Sequence, residues 1–195
     1  MTLNNLAILH KALNEYETAL GEYEEALGIR RQLAATNPQS YLPYVATTLN
    51  NLAILHQGLN EYETALGEYE EALEIRRQLA ATNPQSYLPY VATSLNNLAV
   101  LHQGLNEYET ALGEYEEALE IRRQLAATNP QSYLPKVAMT VINLSIFYFQ
   151  SVTNQQRSIE LAQEALEILQ PFMEIPMFQQ YASIAQQVLD AWKQQ

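Results

Sequence analysis

Three kinds of side chain recur in this sequence at spacings that could carry chemistry. Histidine stands at His10, His56 and His102, each 46 residues from the next. An imidazole can move a proton or ligate a metal. Here each ring is alone in its stretch, with no second histidine nearby in sequence. Packing with a hydrogen bond is the expected role. Glutamates crowd Glu61, Glu63, Glu68, Glu70 and Glu71 and recur in the neighbouring copies. Paired carboxylates could do acid–base work, but a binding or active site is usually made once. The glutamates read as a solvated helix face. Asparagine recurs in adjacent pairs at Asn4-Asn5, Asn50-Asn51 and Asn96-Asn97, with Asn143 alone at the same spacing a further 46 residues on from Asn97. An asparagine amide offers one acceptor and two donors. That is the equipment to pair with both the C=O and the N–H of an extended peptide backbone.

Several functions are disfavoured by what the chain lacks. There is no cysteine, hence no disulfide framework, thiolate nucleophile or cysteine metal site. There is no glycine-rich phosphate loop, no H-E-x-x-H and no nucleophile elbow. No catalytic residue, metal or cofactor is expected. The formal charge is −12 and the pI about 4.6, a balance that opposes binding to nucleic acid or to an anionic membrane surface. No apolar run approaches the roughly 18 residues of a membrane span. The start, MTLNNLAILH, has neither the basic segment nor the apolar core of a secretory signal. The absence of cysteine fits a reducing compartment, so the cytoplasm is expected.

The elements that position these side chains are copies of one stretch, Leu95 to Arg123. It recurs almost verbatim from Leu3 and Leu49, and a worn copy starts at Val141, all 46 residues apart. Repeats two and three differ at four positions: Thr48/Ser94, Ile54/Val100, Tyr90/Lys136 and Thr93/Met139. Each copy reads as two helices. The first runs from about Pro43 to Gln57, with Leu49, Leu52, Ala53 and His56 at the spacing of one buried face. Gly58 and Asn60 break it, both tolerating left-handed backbone. The second runs from about Glu61 to Ala80 or Ala81, with Tyr62, Ala65, Tyr69, Ala72, Leu73 and Ile75 inward. Thr82-Asn83-Pro84-Gln85-Ser86 is expected as a loop before Pro89 opens the next pair. Placing Leu49 inward on a helical wheel turns Thr47, Asn51, Ile54 and Gly58 outward, with Asn50 on the flank. One helix pair cannot bury both faces, so the pairs must stack.

Leu95, Leu98, Ala99, His102, Ala111, Tyr115 and Ala118, with their counterparts from Leu3 and Leu49, resemble the signature of a tetratricopeptide repeat. The run A-T-x-L-N-N-L-A with a long second helix resembles the kinesin-light-chain-like subclass. Arg31, Arg77 and Arg123 replace the family's helix-ending proline, so the second helix should run on. The resemblance implies an all-α, right-handed superhelical solenoid of antiparallel helix pairs. The expected divisions are residues 1–47, 48–93, 94–139 and a degenerate 140–171. A capping helix over 177–195 should carry Tyr181, Ile184, Ala185, Val188, Leu189 and Trp192.

In that family the outward face of the first helix lines a concave groove. The resemblance therefore implies a ligand ladder of Asn5, Asn51, Asn97 and Asn143. An apolar row of Ile8, Ile54, Val100 and Ile146 lies beside it, and a flanking row of Asn4, Asn50 and Asn96. An outward isoleucine repeated at fixed spacing is not needed for solvation. Groove lysines and arginines of the kind that hold a peptide carboxylate are missing from these rows; Lys11 alone is near. The expected function is a non-catalytic scaffold that binds a peptide or protein segment. The rival expectation is a homo-oligomer, in which the N-terminal face, which has no counterpart of the capping helix, stacks on another copy.

Overall fold

The computed structural model describes residues 2–194, and among them nine α-helices follow one another without a strand. They are α1 (Leu3–Ala12), α2 (Tyr16–Thr36), α3 (Pro38–Gly58), α4 (Tyr62–Thr82), α5 (Pro84–Gly104), α6 (Tyr108–Thr128), α7 (Pro130–Gln150), α8 (Gln155–Leu169) and α9 (Pro176–Lys193), with a 3₁₀ turn at Gln170–Phe172. The chain divides into two compact units, one ending at Ser94 and one beginning at Leu95.

The first helix of each pair is longer than the sequence suggests. It begins at Pro38 or Pro84, not at Pro43 or Pro89, and the expected loop shrinks to one residue. Asn37 shows how. Its N–H closes α2 on the Leu33 carbonyl at 2.9 Å, while its side chain accepts the Ser40 N–H at 3.2 Å and so caps α3. Pro38 fills the first helical position, where no N–H is needed. Asn83 and Asn129 repeat both bonds. Pro43 and Pro89 lie inside their helices.

The turn within each pair is set by Asn14, Asn60 and Asn106, which take φ of 62°, 64° and 64°. Asparagine tolerates this left-handed conformation better than most residues. Gly58, expected to share the role, stays helical; no glycine has positive φ. The Asn60 carboxamide accepts from the Tyr62 hydroxyl at 2.7 Å and holds that ring at the surface, so Tyr62 is not an inward residue.

Within the first unit, Ala19, Tyr23, Leu27, Val45, Leu49, Leu52, Leu55, Ala72, Ile75 and Leu79 make one core. Alanine at Ala7, Ala53, Ala65 and Ala72 lets paired helices approach closely, and Tyr69, fully buried, fills the space left over. Its hydroxyl donates to Gln57 Oε1 at 3.1 Å. In the second unit, Tyr115 does the same with Gln103. The degenerate pair α7–α8 replaces a contact of two alanines by Ser145 and Ser158. Each hydroxyl donates to the other's backbone carbonyl at 2.8 Å. Trp192 of α9 donates its indole N–H to Ser158 Oγ at 3.0 Å. This helix packs on α7 and α8 through Ala182, Ala185, Val188 and Trp192. Ile184, expected inward, is exposed, and Ala182 takes the inward position.

Candidate functional site

The outward and flanking asparagine rows part company in the fold. Asn4, Asn50 and Asn96 are buried. Asn4 Oδ1 accepts from Arg30 Nη1 at 3.0 Å, Asn50 Oδ1 from Arg76 Nη1 at 3.1 Å, and Asn96 Oδ1 from Asn143 Nδ2 at 3.2 Å. The flanking row is therefore occupied in holding helices together. The ladder positions are more open: Asn5 is exposed, and Asn51, Asn97 and Asn143 are half-buried. Beside them Ile8 and Val100 are exposed, and Ile54 and Ile146 half-buried.

In the second unit three of these residues meet. Val100, Asn143 and Ile146 line one cavity of about 430 Å³ together with Gln103, Tyr115 and Ser151. Gln103 is fixed at both ends. Its Oε1 accepts from the Tyr115 hydroxyl at 3.1 Å, and its Nε2 donates to Ser151 Oγ at 3.0 Å. Asn143 spends one amide hydrogen on Asn96. One donor and the carbonyl oxygen of Asn143 remain for a ligand. No ionisable carboxylate, lysine or arginine lines this space. A neutral pocket with an aliphatic wall and one free carboxamide edge suits an uncharged side chain and its backbone.

The histidines are packing residues with a hydrogen bond, as their isolation in sequence implies. His56 Nδ1 lies 2.7 Å from Glu68 Oε2, and His102 Nδ1 2.8 Å from Glu114 Oε2; His10 and Glu22 repeat the pair at 2.8 Å. A second glutamate approaches the other ring nitrogen, Glu61 at 3.6 Å from His56 Nε2. Glu68 thus does not belong to a purely solvated face. It is half-buried, and burial raises its pKa against the opposing hydrogen bond from His56. Among the described residues no group of three or more histidine and acidic side chains could hold a metal ion.

In sequence Arg76 and Arg77 sit together near the end of the second helix, where both are expected to complement its dipole. Arg30, Arg76 and Arg122 precede Arg31, Arg77 and Arg123 and look like part of a basic helix end. In the fold Arg31 pairs with Glu71 at 2.6 Å and Arg123 with Glu164 at 2.5 Å on the surface. Arg76 and Arg122 turn inward and are buried. The signal was periodicity: position 76 lies four residues after Ala72, on the buried stripe.

No helix among the described residues is long and apolar enough to cross a membrane. A tetratricopeptide repeat family model matches residues 1–78 and 44–124. A crystal structure of a Podosopora anserina putative kinesin light chain with nearly identical TPR-like repeats has the same fold. It shares 20% identity, over 98% of this chain and 87% of that one, with a TM-score of 0.63. A variant of that protein gives 18% identity over the same shares, with a TM-score of 0.64. No curated protein matches the sequence. Tetratricopeptide repeats generally mediate protein–protein interaction and are typically non-enzymatic. With the signature residues of its second and third copies buried and the family model matched over most of the chain, this protein belongs to the tetratricopeptide repeat family.

Proposed function

We propose that the chain is a non-catalytic, cytoplasmic scaffold that binds an extended peptide or protein segment along the outward faces of its first helices. The observation that supports this most is the convergence of Val100, Asn143 and Ile146 on one uncharged cavity in the second unit. In this reading the Asn143 carboxamide pairs with ligand backbone, and Val100 and Ile146 take an apolar side chain. Asn51 with Ile54, and Asn5 with Ile8, offer the same pair of groups in the first unit.

A random peptide library selected on the intact chain tests it. Enriched peptides should carry an uncharged apolar anchor and lose roughly tenfold or more in affinity with Asn143→Ala or Ile146→Asp, as hot-spot truncations do. Enriched peptides that bind both variants with unchanged affinity would remove the groove reading.

One observation favours a second reading, self-association through the N-terminal end. Leu9 is 45% exposed, whereas its counterpart Leu55 is 1% exposed; Ile29 and Leu33 are likewise open where Ile75 and Leu79 are buried. Light scattering over a wide concentration range decides it. A mass that rises with concentration and falls back with Leu9→Lys supports stacking, and a constant monomer mass excludes it.

A further inference from the structure

Arg76 carries a charge that the packing of the first unit leaves half used. Its residue is 5% exposed. Its three hydrogen bonds all leave from Nη1, to Asn50 Oδ1 at 3.1 Å, Ser94 Oγ at 2.6 Å and the Tyr90 carbonyl at 3.3 Å. Each acceptor is neutral, and no carboxylate pairs with Arg76, in contrast to the surface pair Arg31–Glu71. An arginine has five N–H donors, so the hydrogens on Nη2 and Nε are left over. Among the described residues no sealed side-chain nitrogen lacks a partner, so these donors are not sealed, and Arg76 lines a cavity.

That cavity measures about 480 Å³ and belongs wholly to the first unit. Its lining includes Tyr44, Tyr87, Tyr90 and Ser86, each of which bears a hydroxyl group, and no acidic residue. The Tyr90 ring stacks beneath the guanidinium at 5.7 Å, which holds the fork in place. A buried charge without a counter-charge is costly, and an anion delivered by a ligand relieves that cost. The volume lies in the range of small-molecule sites and exceeds what one carboxylate needs. A planar guanidinium in a cavity lined by hydroxyl-bearing residues matches a group with several anionic oxygens, and lining tyrosines match a flat organic group attached to it. At the corresponding place in the next repeat, Lys136 stands for Tyr90. That change adds a cation at one of only four positions where the two copies differ.

We propose that the cavity beside Arg76 is a binding site for a phosphate monoester carried on a planar organic group. The site goes beyond the neutral peptide groove and does not depend on it. Its ligand is a free small molecule or the phosphorylated side chain of a protein, since both present the same chemistry.

Isothermal calorimetry on the intact chain distinguishes these sources, with phenyl phosphate, adenosine monophosphate and a phosphotyrosine peptide as separate probes. Inorganic phosphate and benzoate serve as controls. At least one monoester should saturate with a Kd below ~10 mM, and inorganic phosphate and benzoate should bind at least roughly tenfold more weakly. Arg76→Gln should abolish the heat. Because that variant also removes packing bonds, Ser86→Glu is the second variant. Ser86 is exposed in the first turn of α5, where an acidic residue suits the helix, so the fold is kept while a carboxylate occupies the rim. Ser86→Glu should weaken the monoester roughly tenfold or more. Absence of saturation by all three monoesters would overturn the proposal. So would benzoate binding as tightly as phenyl phosphate, or unchanged affinity in a folded Ser86→Glu chain.

Discussion

Neighbouring asparagines in one repeat have different surroundings, and stability measurements should separate them. Asn50 accepts from the buried Arg76 guanidinium. Asn50→Ala withdraws an acceptor from a buried charged donor and should cost about 1–3 kcal/mol in urea unfolding. Asn51→Ala, on the more open face, should change stability by no more than about 0.5 kcal/mol. Tyr69 gives a pH-dependent counterpart. Burial, with a smaller contribution from the Glu68 charge, holds its phenol well above the ordinary value of 10.0; Tyr115 is raised in the same way beside Glu114, and burial raises Tyr23. A raised pKa means that the folded chain keeps the phenolic proton after the unfolded chain releases it. Stability from these groups is therefore complete below pH 10 and falls as the pH climbs beyond it. Tyr69→Phe should cost about 0.5–1.5 kcal/mol at neutral pH through the lost bond to Gln57. It should also make the alkaline loss of stability shallower, measured by unfolding between pH 8 and pH 12.

The helices depend on single residues at their ends. Asn37 terminates α2 and caps α3 at once, with no intervening loop to absorb a change. Asn37→Ala should cost about 1 kcal/mol, read as a lower thermal midpoint. Asn60 adopts φ of 64°, so Asn60→Gly should be nearly neutral, whereas a β-branched residue there meets left-handed strain. Pro43 persists inside α3 at the loss of one backbone hydrogen bond. The Asn37 cap carries the helix start across it.

At the scale of the whole chain, the second unit ends in a helix that the repeats do not encode. Trp192 is buried, packs its ring edge-on against Phe149 at 4.9 Å and donates to Ser158. Trp192→Ala removes that ring and leaves the serine pair open to solvent. A cost of about 3–5 kcal/mol is expected. Hydrogen exchange should show it first as lost protection in α8 and α9, because stability in repeat arrays is a sum of neighbour contacts.

Much of this protein follows from sequence alone. A 46-residue period, with Leu49, Leu52, Ala53, Ala65, Tyr69 and Ala72 at helical spacing, determined the helix pairs, their order and their buried faces. The same residues sit in the core because apolar periodicity and burial are one physical fact. Asparagine chemistry at Asn60 was also written there, whereas Asn83, expected in a loop, caps a helix that starts before Pro89, its side chain accepting the Ser86 N–H. What tertiary structure decided is where amides and charges spend their hydrogen bonds. A wheel places Asn50 on a flank but does not show that Arg76, 26 residues away, donates to it. Nor does it show that Arg76, on the buried stripe, meets only neutral acceptors while Arg31 pairs with Glu71 on the surface. Local periodicity fixes which way a side chain leaves its own helix. The partner it meets, and the cavity left beside it, exist only once other helices are packed around it.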